Sequence, residues 1–115
     1  MKLAIIGSRS FKDYELLETT VNGIFQHKDI TTIVSGGASG ADTLAEQYAC
    51  RYNIETVIHK ADWSRYGKAA GPMRNKYIIN DCDTLLAFWD GKSKGTLNSI
   101  NTATKQNKDI IVIDV

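Results

Sequence analysis

The sequence predicts an α/β protein, a three-layer Rossmann-like sandwich built on a mainly parallel five-stranded sheet. Three observations lead there. Short β-rich runs alternate with helical patterns along the whole chain, with no internal repeat or low-complexity segment. Several of those runs are apolar throughout, as expected of strands covered on both faces. Three of them run directly into glycine-bearing loops, the way parallel strands end before a crossover helix.

The strands are expected at Lys2 to Ile6, Thr31 to Val34, Glu55 to Ile58, Thr84 to Phe88 and Asp109 to Ile113. Between the first two, Asp13 to Gln26 carries Leu16, Leu17, Val21, Ile24 and Phe25 near helical spacing, and Ala41, Leu44, Ala45, Tyr48 and Ala49 repeat that stripe in a second helix. Pro72 suits the first turn of a third helix, where its missing N–H costs nothing, with Met73, Tyr77 and Ile78 facing the sheet. A fourth helix, Thr96 to Gln106, has a weaker stripe from Leu97, Ile100 and Ala103. Right-handed β-α-β crossovers would put these helices on both faces of the sheet.

At 115 residues the chain has the length of a single domain, residues 1–115. Such a chain buries about two thirds of its unfolded surface, enough for one core and one cleft. Any site must then be built from the core's own loops. The 14 basic and 13 acidic residues give a formal charge of +1, which offers no global field for nucleic acid, so nucleic acid is an unlikely partner on this reading. The opening "MKLAIIGSRSF" has too short an apolar run for a leader or a membrane span, and a soluble cytoplasmic protein is expected. Cys50 and Cys82 read as buried or incidental thiols, and His27 and His59 stand apart, so neither a metal nor another cofactor is called.

The loops after the first, second and fourth strands would share the carboxyl edge of the sheet. If the first strand is central, with the second and fourth beside it, they meet around one cleft. Their chemistry is anion binding. Glycines let the backbone approach a phosphate, and the amides at the next helix terminus point outward. The candidate ligand-binding residues are Gly7, Ser8, Arg9, Ser10 and Phe11 in the first loop. The second contributes Ser35, Gly36, Gly37, Ala38, Ser39 and Gly40, with Asp42 and Thr43 in the helix that follows. The late loop supplies Trp89, Asp90, Gly91, Lys92, Ser93, Gly95, Thr96 and Asn98, and the third helix Arg74 and Asn75. Trp63 and Tyr66 are aromatic faces that could stack on a base or anchor a loop to the core. Two familiar phosphate signatures fail: "GKS" at 91–93 has Leu86 where a P-loop needs its first glycine, and "GSRSF" lacks the spacing of a dinucleotide fingerprint.

Taken together, "GSRSF", "VSGGASGADTLAEQYA", "GKAAGPMRNKYII" and "LLAFWDGKSKGTLNSINTA" resemble the SLOG superfamily, in its small stand-alone branch related to the YspA and YpsA proteins. That superfamily also holds the Rossmann domain of DNA-processing protein A, the Lonely Guy phosphoribohydrolases and sensor domains for nucleotide or ADP-ribose-derived signals. The resemblance implies a Rossmann-like fold with a nucleotide-type ligand across the glycine loops, and a homo-oligomer. It implies no single activity. Against the hydrolase branch, Arg74 falls on the arginine of the third helix and Gly95-Thr96 on the late GT pair, but Asn98 occupies the acid's position. An amide cannot activate water or stabilise an oxocarbenium-like state. Asp90 and Asp42 are the substitutes, and Asp42 reads first as a cap of its helix, where an acid complements the dipole. The expectation is therefore a binder, a sensor or sequestering protein, with a nucleotide N-glycosidase as the alternative and a DNA-associated module third.

Overall fold

The computed structural model describes residues 1–115, the side chain of His27 excepted. Five parallel strands form one sheet: β1 (Lys2–Gly7), β2 (Thr32–Ser35), β3 (Glu55–Ile58), β4 (Thr84–Trp89) and β5 (Asp109–Asp114). Their order is β3-β2-β1-β4-β5, so β1 is central and the chain reverses its direction of travel across the sheet beside it. In register, Ala4 faces Val34 on one side and Leu85 on the other. The predicted Rossmann-like class is borne out, and each strand lies within one residue of its expected bounds.

Alternation along the central strands sorts the core into two halves. Leu3, Ile5, Ile33, Leu86 and Phe88 point to the face covered by α1 (Tyr14–Ile24) and α2 (Ala41–Arg51), where they meet Leu17, Val21, Leu44, Ala45 and Tyr48. Ala4, Ile6, Val34, Leu85 and Ala87 point to the other face, against Ile78, Ile79 and Cys82 of α4 (Ala70–Asn80) with its following turn and Ala103 of α5 (Lys94–Lys105). Burying one such side chain contributes about 1.5–3 kcal/mol. The apolar run of β1 is thus needed on both faces.

The structure departs from the expected elements in several places. The third helix starts at Ala70, which puts Pro72 at its third position, still among the amides that no intrahelical carbonyl accepts. Tyr77 and Leu97, expected against the sheet, are exposed, while Thr96 and Ser99 are buried. Between β3 and α4 lies a short helix the periodicity did not announce, α3 (Trp63–Tyr66), opened by Asp62 accepting from the Arg65 amide and followed by a 3-10 turn over Gly67–Ala69. Cys82 is buried as expected, but Cys50 is exposed. No helix among the described residues is long and apolar enough to cross a membrane.

Candidate functional site

The loops after β1, β2 and β4 do converge, because their strands are neighbours in the sheet. Ser8 ties them together. Its amide donates to the Phe88 carbonyl at 3.1 Å, its own carbonyl accepts from Phe11 at 3.1 Å and from Ala41 at 3.4 Å, and its hydroxyl accepts from the Asp90 amide at 3.3 Å. Two glycines permit this closeness. A Cβ on Gly7 would stand 2.5 Å from the Phe88 carbonyl oxygen, and one on Gly40, which has φ +79°, 2.4 Å from that of Arg9.

Between the loops, the middle of α4 and the start of α5 lies a cleft of about 430 Å³. Gly7, Ser8, Arg9 and Ser10 form one wall; Ala38 and Asp42 a second; Arg74 and Asn75 a third; Asp90, Ser93, Gly95 and Thr96 close it. Ile6, Ile78 and Ser99 at its base were not anticipated, being strand or helix positions whose direction only the fold sets. A smaller space of about 210 Å³ adjoins it, sharing Arg9, Ala38 and Arg74 and adding Gly36, Gly37, Lys60, Ala61 and Trp63.

Arg74 is the centre of this arrangement. Its Nη1 donates to the Gly36 carbonyl at 2.9 Å and its Nε to Asn75 Oδ1 at 2.9 Å, so the guanidinium is anchored across the second loop. Asn75 in turn donates to the Gly95 carbonyl at 3.3 Å and lies 3.5 Å from Asn98 Oδ1. Burial pulls Arg74 below the usual guanidinium range; Asp42 opposes that and the like charge of Arg9 adds to it. An anion entering between the two arginines would relieve their repulsion.

Asp42 does not cap its helix. Gly40 stands at the cap without a side-chain bond, and the Asp42 carboxylate instead turns back to accept from the Ala38 amide at 3.1 Å. Burial raises its pKa from 3.8 to about 6, against the pull of that amide and of Arg74. Asp90 behaves oppositely. Its carboxylate accepts from the Lys92 and Ser93 amides, both at 2.8 Å, and these bonds hold its pKa below the ordinary value. Ser93 caps α5, accepting from the Thr96 amide at 3.4 Å, and no acidic residue stands in that helix's first turn. Its positive end faces the cleft.

Several predicted residues lie elsewhere. Phe11 is buried and stacks on Phe88, with centroids 4.9 Å apart, which makes it core. Ser35 is fully buried beneath the loop, its hydroxyl 3.4 Å from the Asp42 carbonyl. Thr43 donates to the Ala38 carbonyl at 3.1 Å, and Trp89 to the Ser93 carbonyl at 3.1 Å; both brace loops. Ser39, Gly40, Gly91, Lys92 and Asn98 are absent from the lining of either space. Of the two histidines weighed as ligands, His27 has its side chain outside the described residues, and His59 Nε2 lies 3.1 Å from Asp81 Oδ2.

Comparison with known proteins agrees with this fold. The YspA, cpYpsA-related SLOG family matches residues 1–66. The Gene 61 protein of Mycobacterium phage D29 is 32% identical over 117 residues, covering 96% of this chain and 94% of the phage protein. Among solved structures, DNA processing protein A from Streptococcus pneumoniae shares the fold with a TM-score of 0.81 at 22% identity, covering 99% of this chain and 50% of that one. DNA processing protein A from Helicobacter pylori, described for its single-stranded DNA binding mode, gives 0.76 at 23% identity, covering 97% of this chain and 64% of that one. The chain therefore spans half of the one protein and under two thirds of the other.

The argument from net charge against nucleic acid is overturned by that second neighbour, since a protein with this fold binds single-stranded DNA. Net charge averages the whole surface, whereas Arg9, Lys60 and Arg74 gather around one space. With the family match running from β1 through α3 and the phage relative aligned along nearly the full length, this protein belongs to the YspA, cpYpsA-related SLOG family.

Proposed function

We propose that this protein holds the phosphate of a nucleotide-type ligand, an ADP-ribose derivative among the candidates, in the cleft between the β1, β2 and β4 loops. It acts there as a sensor or sequestering protein of nucleotide signalling. One observation carries the reading: Arg9 and Arg74 face a single polar cleft closed by the first turn of α5. Each charge-assisted hydrogen bond to a phosphate contributes about 1.5–3 kcal/mol, so two arginines and a helix terminus suffice for a selective site. A cytoplasmic setting supplies such ligands and suits the free thiols of Cys50 and Cys82.

Binding is preferred to turnover because the carboxylates are poorly placed for hydrolysis. Asp90 is occupied by backbone amides, and Asn98 stands where the related hydrolases carry their acid. Asp42 favours the second reading, an N-glycosidase, since a carboxyl with a pKa of about 6 beside an arginine is matched to proton transfer near neutrality. The phosphodiesters of a single strand of DNA offer the same anionic chemistry, in keeping with the fold of DNA processing protein A. The test is to incubate purified protein with adenine nucleotides, ADP-ribose and a short single-stranded oligonucleotide, isolate the complex, denature it and identify what is released. Intact ligand at one equivalent is expected. Free base accumulating over many turnovers would make the protein an enzyme, and retention of nothing would refute the cleft.

A further inference from the structure

The smaller space beside the cleft has a composition of its own. It is lined by Lys60, Trp63, Gly36 and Gly37, and it meets the larger cleft at Arg9, Ala38 and Arg74. At about 210 Å³ it falls below the roughly 300–1,000 Å³ of a self-sufficient small-molecule site, whereas the main cleft lies inside that range. It reads as an annex to the cleft.

Its aromatic wall is fixed and open at once. Trp63 is 51% exposed, yet its ring is seated on α4 where Gly71 leaves room: a Cβ there would stand 3.1 Å from the indole Cη2. Asp62 caps the short helix that carries it. An indole anchored at its Cη2 corner and half exposed offers a surface on which a nucleobase can stack. Gly37 has φ +70°, and a side chain on it would press on Ile58 and Lys60, so the second loop lines this space with bare backbone.

The two guanidiniums shared by both spaces sit where a ligand would pass from one to the other. We infer that the preferred ligand has two nucleoside units joined through phosphate, the bridge held between Arg9 and Arg74, one unit in the main cleft, and the second base stacked on Trp63 beside Lys60. This rests on the phosphate-binding reading above and extends it from a phosphate to a two-unit ligand. The bridge is either a 5′-5′ diphosphate, as in a free dinucleotide, or a 3′-5′ phosphodiester, as in a nucleic acid strand.

The experiment compares three probes by calorimetry and by tryptophan fluorescence: AMP, di(adenosine-5′) diphosphate and the deoxydinucleotide dApdA. AMP is expected to bind without quenching Trp63. At least one two-unit probe is expected to bind about tenfold or more tighter and to quench it, and which one does so distinguishes free dinucleotide from strand. Trp63→Ala should return that probe to the affinity of AMP and abolish the quenching, leaving AMP binding unchanged. Lys60→Ala, at an exposed position, should weaken the two-unit probe severalfold. Equal affinities for all three probes, insensitive to both substitutions, would overturn the inference and leave the phosphate site standing. Failure of every probe, AMP included, would instead remove the phosphate site itself.

Discussion

Replacing Asp42 by asparagine removes a buried negative charge at nearly constant volume. In the folded protein burial raises this carboxyl from 3.8 to about 6. At about 1.36 kcal/mol per unit, the ionised form costs the fold about 3 kcal/mol relative to a carboxylate in water. The folded state holds the proton more tightly than the unfolded one, so this contribution to stability is fully present below pH 3.8 and is lost as pH rises through about 6. Asparagine carries no such dependence. Its amide oxygen can keep accepting from Ala38, whose preference for a charged acceptor is already contained in the net shift. The net expectation at pH 7.5 is a variant more stable by about 3 kcal/mol, roughly 12 °C in Tm for a domain of this size. Urea unfolding of both proteins at pH 4.5, 6 and 7.5 measures it. The wild type should lose stability relative to the variant across that range. Parallel pH profiles, or a variant less stable at pH 7.5, would refute the assignment of a strained buried carboxyl.

The same carboxyl should govern ligand affinity. An anion beside Asp42 favours its protonated form, so a diphosphate diester, ionised throughout, should bind more weakly as pH rises from 5 to 7.5, and Asp42→Asn should flatten the profile in calorimetry. Gly95 lines the cleft with nothing within 4 Å of where its Cβ would stand; Gly95→Val should leave unfolding unchanged and lower phosphate affinity at least tenfold by filling that space. Arg74→Ala should cost about 1.5–3 kcal/mol of ligand binding, about 10- to 150-fold in Kd, with Arg74→Lys recovering part of it. With φ +79° and backbone oxygens of Ser8 and Arg9 in the way, Gly40→Ala should destabilise the fold by more than 2 kcal/mol in urea titration. A thiol-specific reagent should modify exposed Cys50 in the native protein and reach Cys82, buried and pushed up to about 11, only on unfolding.

Strands were legible because their apolar runs report burial on both faces, and the helices because α1 and α2 carry broad stripes. Spacing alone left the strand order open, since it fixes no partner for β1. Tyr77 and Leu97 misled because a helix covering half a sheet buries a narrow arc, and both sit beyond its edge. Phe11 reads as a loop residue next to serines and a lysine; only the ring of Phe88, from a strand far along the chain, makes it core. Asp42 obeys a local helix rule in sequence and a tertiary one in space, because Ala38, Gly36 and Arg74 surround it in the fold. The segment from Lys60 to Gly71 has no periodicity, so Trp63 was legible as an aromatic face but the second space that it, Lys60 and Ala61 wall beside the loop was not.

The bonds around Ser8 carry one more consequence. A single residue whose amide, carbonyl and hydroxyl fasten three separate loops makes a receptor already assembled before anything arrives. Filling it costs little ordering entropy, and association need not wait for a lid to close. Capture should then proceed at the rate of encounter, with residence time alone distinguishing one ligand from another.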